Sequence, residues 1–319
     1  MNDQKLSVSI VIPVYNEAEI LQQFHGELKA VLEQIPFPSK VYYVDDGSSD
    51  ATPEILKALA AEDTNLRVIS LSRNFGHQAA LSCGLEQAEG DVIVMMDGDG
   101  QNPPELIPEM LALYQDGYDI VICQRRQEEG QTFFKKITSQ GFYKFINWFG
   151  NQKIIPNAAD FRLLSRRAVQ ALIAMPEYHR FLRGMVSWIG FNSTVLPFDP
   201  PPRIGGESKY THNKMMHLAA DAVFSFSLSP LRLGLYTGAL FYILALLEVI
   251  YVLYLWISGH TTQLEPGWSS LIFVILIVGG TLTTVVSFIG IYIGYIFQEV
   301  KNRPVYIVKE TNFDDPDRP

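Results

Sequence analysis

Residues 91–105 read DVIVMMDGDGQNPPE, a short apolar run that leads directly into a pair of aspartates. Asp91 to Met96 is apolar and rich in branched residues without strict alternation, which is typical of a strand buried on both faces. A turn beginning at Gly98 lets Asp97 and Asp99 reach one ion although they alternate along the chain. Carboxylates completed by water and phosphate oxygens suit Mg²⁺ or Mn²⁺. The stretch therefore predicts a buried strand that ends at a divalent metal site.

Two other interpretations of this aspartate pair stay open. A calcium loop of the EF-hand kind requires Gly at its sixth position and Glu at its twelfth, where this chain has Asn102 and Pro108. A structural turn with solvated aspartates is the second. The mismatched positions disfavour the calcium loop, and polar motifs at the ends of three further predicted strands disfavour the structural turn.

Three similar apolar runs precede this stretch, and helical patterns lie between them. The strands are predicted at Ser7–Val14, Val41–Val44 and Leu66–Leu71, and the helices at Ala18–Gln34, Thr52–Glu62 and Gly76–Ala88. This alternation predicts a parallel sheet covered by helices, with ligands at the carboxyl ends of the strands. The motifs VYNE, DDGS and SRN follow the three strands. No GxGxxG follows the first strand and no GxxxxGK[ST] occurs, so neither a dinucleotide fold nor a P-loop is supported.

The net charge of -9 conceals a segregation along the chain. Residues 1–120 carry -14, residues 121–220 carry +8 and residues 221–319 carry -3. The low charge and 48% hydrophobic residues exclude a disordered chain, and the negative net charge argues against a nucleic-acid partner. The acidic block suits metal chemistry, and the basic block suits an anion or a membrane surface. Cys83 and Cys123 lie in apolar contexts and are expected to be buried and reduced.

Two long apolar runs predict transmembrane helices at about 233–258 and 269–297. Each run exceeds the roughly 20 residues that cross a ~30 Å hydrocarbon core. The connecting loop HTTQLEPGW has no Lys or Arg, whereas Arg232, Lys301 and Arg303 flank the pair. The positive-inside rule therefore predicts a transmembrane hairpin in the inner (plasma) membrane, with the soluble domain and both chain termini cytoplasmic.

Two stretches before the hairpin are typical of amphipathic helices at the membrane interface. Residues 135–153 interleave lysines with aromatic side chains, and residues 211–230 lead into the first span. For the second stretch, a helix packed on the soluble domain is the alternative. Glu248, the charge within the first span, faces either a functional site or a partner helix. The expected domains are 1–210 soluble, 211–230 juxtamembrane, 231–300 transmembrane and 301–319 a cytoplasmic tail.

Five motifs taken together resemble glycosyltransferase family 2. They are IPVYNE (12–17), VDDGSSDAT (44–52), SRNFGHQAAL (72–81), MDGDGQNPPE (96–105) and DFRLLSRR (160–167). Within that family the chain is similar to the polyprenyl-phosphate glycosyltransferase branch, with its dolichyl-phosphate mannose synthases and bacterial undecaprenyl-phosphate glucosyltransferases. The resemblance covers about residues 6–215 and the hairpin. It implies a GT-A fold, a nucleotide-sugar donor and a divalent metal.

The resemblance also implies roles for residues at matching positions. The nucleotide-sugar set is Pro13, Tyr15, Glu17, Asp45, Asp46, Arg73, Asn74 and Asp97, with Gly76 in the same loop as Arg73. The metal set is Asp99, Asp97 and Gln101, and the catalytic set is Asp160, Asp97 and Asp99. Ala159 stands where the family usually has Gly before DFRL.

A lipid phosphate acceptor would explain the positive charge of residues 121–220. The residues expected to bind it are Arg125, Arg126, Arg203 and Lys209. Forked guanidinium groups and a lysine ammonium suit a phosphate monoester. The alternative is a surface that is cationic only because it faces the membrane.

The predicted reaction is in-line attack of polyprenyl (undecaprenyl) phosphate on the anomeric carbon of a nucleotide sugar, with inversion. UDP-glucose is the favoured donor, and GDP-mannose or another nucleotide sugar is the alternative. Asp160 either orients the acceptor or takes a residual proton. A membrane-anchored sugar-nucleotide sensor is the non-enzymatic alternative, while the missing QxxRW motif disfavours a processive polysaccharide synthase. Whether the protein forms a homo-oligomer is left open.

Overall fold

The computed structural model of the protein describes residues 6–126, 155, 158–178, 180–201 and 267–313, with eight separate positions between 243 and 258. The chain divides into two compact units. One unit contains the sheet and includes the chain from Arg303 onward. The other contains the long helix that ends at Val300.

The strands described in the first unit form one sheet in the order β7-β5-β6-β4-β1-β2-β3-β8. They are β1 (Val8–Val14), β2 (Ser39–Asp45), β3 (Leu66–Leu71), β4 (Val92–Met95), β5 (Ile120–Arg125), β6 (Ala158–Ser165), β7 (Ser193–Phe198) and β8 (Val308–Thr311). β1 pairs in parallel with β2 and β4, and β2 with β3. Only β6 and β8 among them run opposite to the rest. The mostly parallel, GT-A-like α/β sheet predicted from the sequence is confirmed.

The helices of this unit connect and cover the strands. They are α1 (Leu21–Leu32), α2 (Thr52–Glu62), α3 (His77–Gln87), α4 (Ile107–Gln115), α5 (Arg166–Ile173) and α6 (Leu182–Trp188). Every residue of β1 is buried, as expected for a strand covered on both faces. The three helices predicted before β4 are present, with ends within three residues of the predicted ones.

After the long helix that ends at Val300, the chain returns to the sheet. β8 pairs antiparallel with β3 and forms one edge of the sheet. Beyond it, Asn312 Oδ1 accepts a hydrogen bond from Val68 N at 2.7 Å, and Asn312 Nδ2 donates to Leu66 O at 3.1 Å. Residues 301–319 are predicted to form a cytoplasmic tail. The structure instead uses part of that segment as a strand.

The long helix α7 (Trp268–Val300) is the main described element of the second unit. Within the described residues, its Ile277–Val300 part is the one helix long and apolar enough to cross a membrane. The span predicted at 269–297 falls within α7. The first predicted span lies largely outside the described residues, and the interfacial stretches 135–153 and 211–230 lie wholly outside them. The hairpin therefore stays a prediction.

α3 lies very close to the centre of the sheet because a glycine faces β1 and β2. A Cβ atom on Gly84 would lie 2.3 Å from Val11 Cγ1 and 3.1 Å from Val44 Cγ2. The middle of the helix, Ala79–Leu85, is buried. This contact fixes the height of α3 above the sheet, and with it the position of His77, the first residue of the helix.

Replacing Gly84 with Ala should destabilise the protein by about 1–3 kcal/mol, because the added methyl group overlaps Val11 in a closely packed core. Gly26 is the matched control, since it lies at an exposed position of α1 where an added Cβ would have no atom within 4 Å. Gly26→Ala should be neutral or stabilise by up to about 1 kcal/mol through helix propensity. Urea unfolding of the detergent-solubilised protein compares the midpoints, and an equal loss in both variants would contradict the close contact.

Candidate active site

The loops that follow β1 and β2 are joined by hydrogen bonds. Asn16 adopts a left-handed backbone conformation with φ of 54°, and its Oδ1 accepts a hydrogen bond from Ser49 N at 2.8 Å. Glu17 N donates to Thr52 Oγ1 at 2.9 Å. The backbone around Tyr15 and Glu17 is therefore held against the start of α2, at the edge where the sequence predicts the nucleotide site.

Two buried aspartates at the end of β2 organise the neighbouring backbone. Asp45 Oδ1 accepts a hydrogen bond from Ser48 N at 3.0 Å. Asp46 accepts two, from Phe75 N at 2.7 Å and from Gly76 N at 2.9 Å. Burial raises the pKa of Asp46, although both backbone hydrogen bonds favour its charged form. Asp46 thus holds the loop before α3, and its predicted contact with the nucleoside stays a prediction.

The predicted donor loop between β3 and α3 presents exposed polar side chains beside this edge. The guanidinium of Arg73 lies over the Phe75 ring, 4.3 Å from its centroid, and Asn74 is exposed. A Cβ atom on Gly47, where φ is 68°, would lie 2.5 Å from the carbonyl carbon of Arg73. The loops after β2 and β3 therefore touch through backbone, and only glycine fits at the contact. Tyr15, also predicted to bind the donor, is 38% exposed.

The acidic loop after β4 lies directly against β1. A Cβ atom on Gly98 would come 3.1 Å from Val14 Cγ1 and 3.6 Å from Pro13 O. The carbonyl of Pro13 therefore lies beside the acidic loop, while the proline itself is buried within β1. This approach brings the predicted metal ligands to the same edge as the predicted nucleotide residues.

The predicted metal ligands supply two carboxylates and one amide. Asp99 Oδ1 accepts a hydrogen bond from Gln101 N at 3.0 Å, which closes the turn. Asp97 Oδ1 is buried and accepts no hydrogen bond from the described residues. Asn102 is completely buried, and its side-chain amide also has no hydrogen-bond partner there. Across the described residues no group of three or more His, Cys, Asp or Glu side chains forms a metal site.

His77 lies between two predicted catalytic aspartates. Its Nε2 is 3.3 Å from Asp97 Oδ1 and 3.7 Å from Asp160 Oδ2. Burial disfavours a charged imidazole, but the carboxylates of Asp160 and Asp97 outweigh it and raise the pKa of His77 to about 9. The imidazole is therefore a cation at neutral pH, and it joins the acidic loop after β4 to the DFRL motif.

Asp160 is held by a two-point ion pair. Arg183 Nε donates to its Oδ1 and Arg183 Nη2 to its Oδ2, each at 2.8 Å. Arg162 Nη2 lies 3.9 Å from Asp160 Oδ1 and belongs to a side chain that is 2% exposed. Burial opposes ionisation of Asp160, but Arg183 and His77 outweigh it and hold the pKa of this carboxyl well below its usual range.

Of the predicted acceptor residues, the structure describes the two at the end of β5. Arg125 is partly buried, and its Nε has no hydrogen-bond partner among the described residues. Arg126 Nη1 pairs with Asp199 Oδ2 at 2.9 Å, and both side chains are exposed. Arg203 and Lys209 lie outside the described residues, so the full acceptor set stays a prediction.

Sequence reasoning missed three charged residues of the site. His77 stands in the quoted motif SRNFGHQAAL, directly after Gly76, but its role was not predicted. Arg162 is part of DFRL, and its position after Asp160 was the available signal. Arg183 lies 23 positions beyond Asp160 in no motif, and only the folded chain brings it there.

The fold and this edge together define a sugar-transfer enzyme of the GT-A-like α/β class. Residues 9–173 match the profile of Glycosyl transferase family 2, and the chain belongs to that family. It is 38% identical to an uncharacterized glycosyltransferase of Synechocystis over 96% of this chain and 95% of that protein. It is 35% identical to the SfII prophage-derived bactoprenol glucosyl transferase of Shigella flexneri over 98% of this chain and 100% of that protein.

Replacing Arg183 with Met should destabilise the protein by about 3 kcal/mol at pH 8, because it leaves the buried Asp160 carboxylate without its main partner. In the unmodified protein the folded-state pKa of Asp160 is below the unfolded value of about 3.9, so the pair stabilises the protein above that value. That contribution is lost as the pH falls through the folded-state pKa.

The difference in unfolding free energy between the two proteins should therefore stay constant from neutral pH down to about pH 4 and shrink as the pH is lowered further. Lys40→Met is the matched control, because it removes an exposed ion pair with Glu89. Exposed pairs contribute only about 0–1 kcal/mol. Urea titrations across this pH range check both variants, and a pH-independent loss for Arg183→Met would contradict the ion-pair origin.

Proposed function

We propose that the protein is a membrane-anchored inverting glycosyltransferase that moves glucose from UDP-glucose onto polyprenyl (undecaprenyl) phosphate at the cytoplasmic face of the membrane. The observation that carries this proposal is the position of Asp97 and Asp160 on either side of His77 at the carboxyl edge of the sheet. Asp97 belongs to the loop expected to hold the donor, and Asp160 to the motif expected to face the acceptor. The full-length similarity to a bactoprenol glucosyl transferase supports this choice of sugar and acceptor.

In the proposed reaction an acceptor phosphate oxygen attacks the anomeric carbon. The bond from that carbon to the nucleoside diphosphate breaks, and its electron pair stays on the leaving diphosphate oxygen. The acceptor phosphate is already anionic at neutral pH, so no strong base is required. Asp160, with both oxygens paired to Arg183, is a weak proton acceptor and suits an orienting role.

A divalent cation, Mg²⁺ or Mn²⁺, is part of this proposal. Asp97 and Asp99 would hold it with Gln101, and the fit rests on these oxygen donors and on the buried Asp97 Oδ1, which accepts no hydrogen bond from the described residues although His77 Nε2 lies 3.3 Å away. Hard oxygen donors in a partial set suit either ion. When bound, the cation supplies positive charge beside the leaving diphosphate.

The connectivity of the sheet supports an even number of membrane crossings. β7 precedes the apolar region and β8 follows it, yet both belong to one sheet. The chain must therefore leave and re-enter on the same side of a membrane. Since α7 supplies one candidate span, the predicted run at 233–258 would supply the second and complete the hairpin.

The transfer assay uses the full-length protein in nanodiscs with undecaprenyl phosphate, Mg²⁺ and a radiolabelled donor. We expect label from UDP-glucose to enter the organic phase, and Asp99→Asn to reduce the rate by about a hundredfold or more, since charge stabilisation of the leaving group is lost. Asp116→Asn, at an exposed position after α4, is the matched control and should stay active. Label entering only from GDP-mannose or another donor would change the sugar, and no transfer from any donor would overturn the proposal.

The topology is checked by labelling single cysteines in intact spheroplasts with a membrane-impermeant maleimide. Both native cysteines are buried, so the background should be low. Thr262→Cys, in the loop between the predicted spans, should be labelled from outside. Lys309→Cys, at an exposed position of β8, should be labelled only after the membrane is opened. Labelling of both positions from outside would contradict a transmembrane hairpin whose two ends are cytoplasmic.

A further inference from the structure

The segment that follows α7 runs along the sheet edge next to the predicted donor loop. We call residues 303–313 the C-terminal strap. Ile307 O accepts a hydrogen bond from Ser72 N at 2.9 Å, and Ser72 immediately precedes Arg73. From Val308 onward the strap pairs with β3. The strap therefore contacts the chain at the end of β3, where the predicted donor loop begins.

The carboxylate of Glu86, on α3, connects the strap to the segment that contains Arg180. The hydroxyl of Tyr306 donates a hydrogen bond to Glu86 Oε2. Arg180 Nη1 donates to the other oxygen, Glu86 Oε1, at 2.9 Å. The side chain of Arg180 is only 10% exposed, so this charge-assisted pair is shielded from water on the arginine side. Burial and the neighbouring Cys83 and Glu86 raise the pKa of Tyr306, which keeps the phenol neutral and able to donate.

The hydrogen bonds among Tyr306, Glu86 and Arg180 lie close in sequence to residues that contact Asp160. Near the start of α3, Gln78 Oε1 accepts a hydrogen bond from Leu182 N at 3.0 Å. The neighbours of these two residues are His77 and Arg183, the cations that contact Asp160. The placement of α3 against the segment 180–183 therefore sets the geometry around that carboxylate.

We propose that Tyr306 is a positioning residue for sugar transfer. Through Glu86 it fixes α3 and the Arg180 segment relative to each other, and so keeps His77 and Arg183 correctly placed around Asp160. The strap is then part of the active-site framework and not a free tail. As a statement about catalysis, the proposal rests on the transfer activity proposed above.

The test compares full-length variants in nanodiscs. Tyr306→Phe removes only the hydroxyl, Glu86→Gln weakens the carboxylate that it contacts, and the double variant combines them. Glu310→Gln is the matched control. Glu310 belongs to the same strap, and the substitution removes its exposed ion pair with Lys57 (3.5 Å). The readouts are kcat and KM for the donor, the melting temperature, and hydrogen–deuterium exchange of residues 181–188.

We expect Tyr306→Phe to lower kcat about tenfold with little change in KM, because small misplacements of catalytic groups cost rate more than binding. The double variant should be no slower than Glu86→Gln, since both changes break one network. Exchange of residues 181–188 should become faster in Tyr306→Phe, while Glu310→Gln should match the unmodified protein in every readout.

Three results would overturn the positioning role. They are an unchanged kcat in Tyr306→Phe, a double variant that shows the product of the two separate losses, or a lower melting temperature with normal kcat and normal exchange. The exchange measurement needs no sugar transfer. If the unmodified protein transfers no sugar, the proposed function fails, and exchange of residues 181–188 still decides whether Tyr306 holds this segment.

Discussion

The active-site edge depends on the seating of α3 against β1 and β2 at Gly84. A side chain there would overlap Val11, so the helix can approach the sheet only because the residue is glycine. The helix begins at His77, directly after the backbone that Asp46 holds through Phe75 and Gly76. A contact in the apolar core thus decides where an imidazole lies relative to the carboxylates at the edge. Because well-packed cores transmit small displacements, the polar geometry follows from the packing.

The charged groups at this edge compensate one another in a specific way. Asp160 is buried and would be costly if unpaired, but Arg183 occupies both of its oxygens and His77 lies nearby. Asp97 shares His77 and keeps a buried oxygen without a hydrogen bond from the described residues. The arrangement leaves the Asp160 carboxylate neutralised by the chain's own cations. Asp97 has His77 Nε2 3.3 Å from that same buried oxygen and lacks a two-point partner such as Arg183 provides for Asp160 among the described residues.

The first four strands were predictable because each is a short, branched, apolar run followed by a polar motif, as at Asp97. Those signals are local in sequence. β8 was not predictable, since its four residues VKET become a strand only through pairing with β3, more than 200 positions earlier. Arg183 was missed for the same reason, because it lies 23 positions beyond its partner Asp160 and shares no motif with it. What the sequence could not reveal is thus the set of contacts that exist only after distant segments meet.

The late position of β8 in the chain has a consequence for assembly. β3 is paired on one side by β2, and its other side is covered by a strand that follows the long helix α7. Until residues 308–311 are synthesised, that side of β3 presents unpaired backbone groups, which are a hazard for edge-to-edge aggregation. The sheet is therefore complete only after α7 has been made. In the proposed membrane-anchored enzyme this order couples completion of the catalytic domain to the helix that would anchor it. A chain lacking α7 and the strap would therefore retain an open sheet edge beside the predicted donor loop.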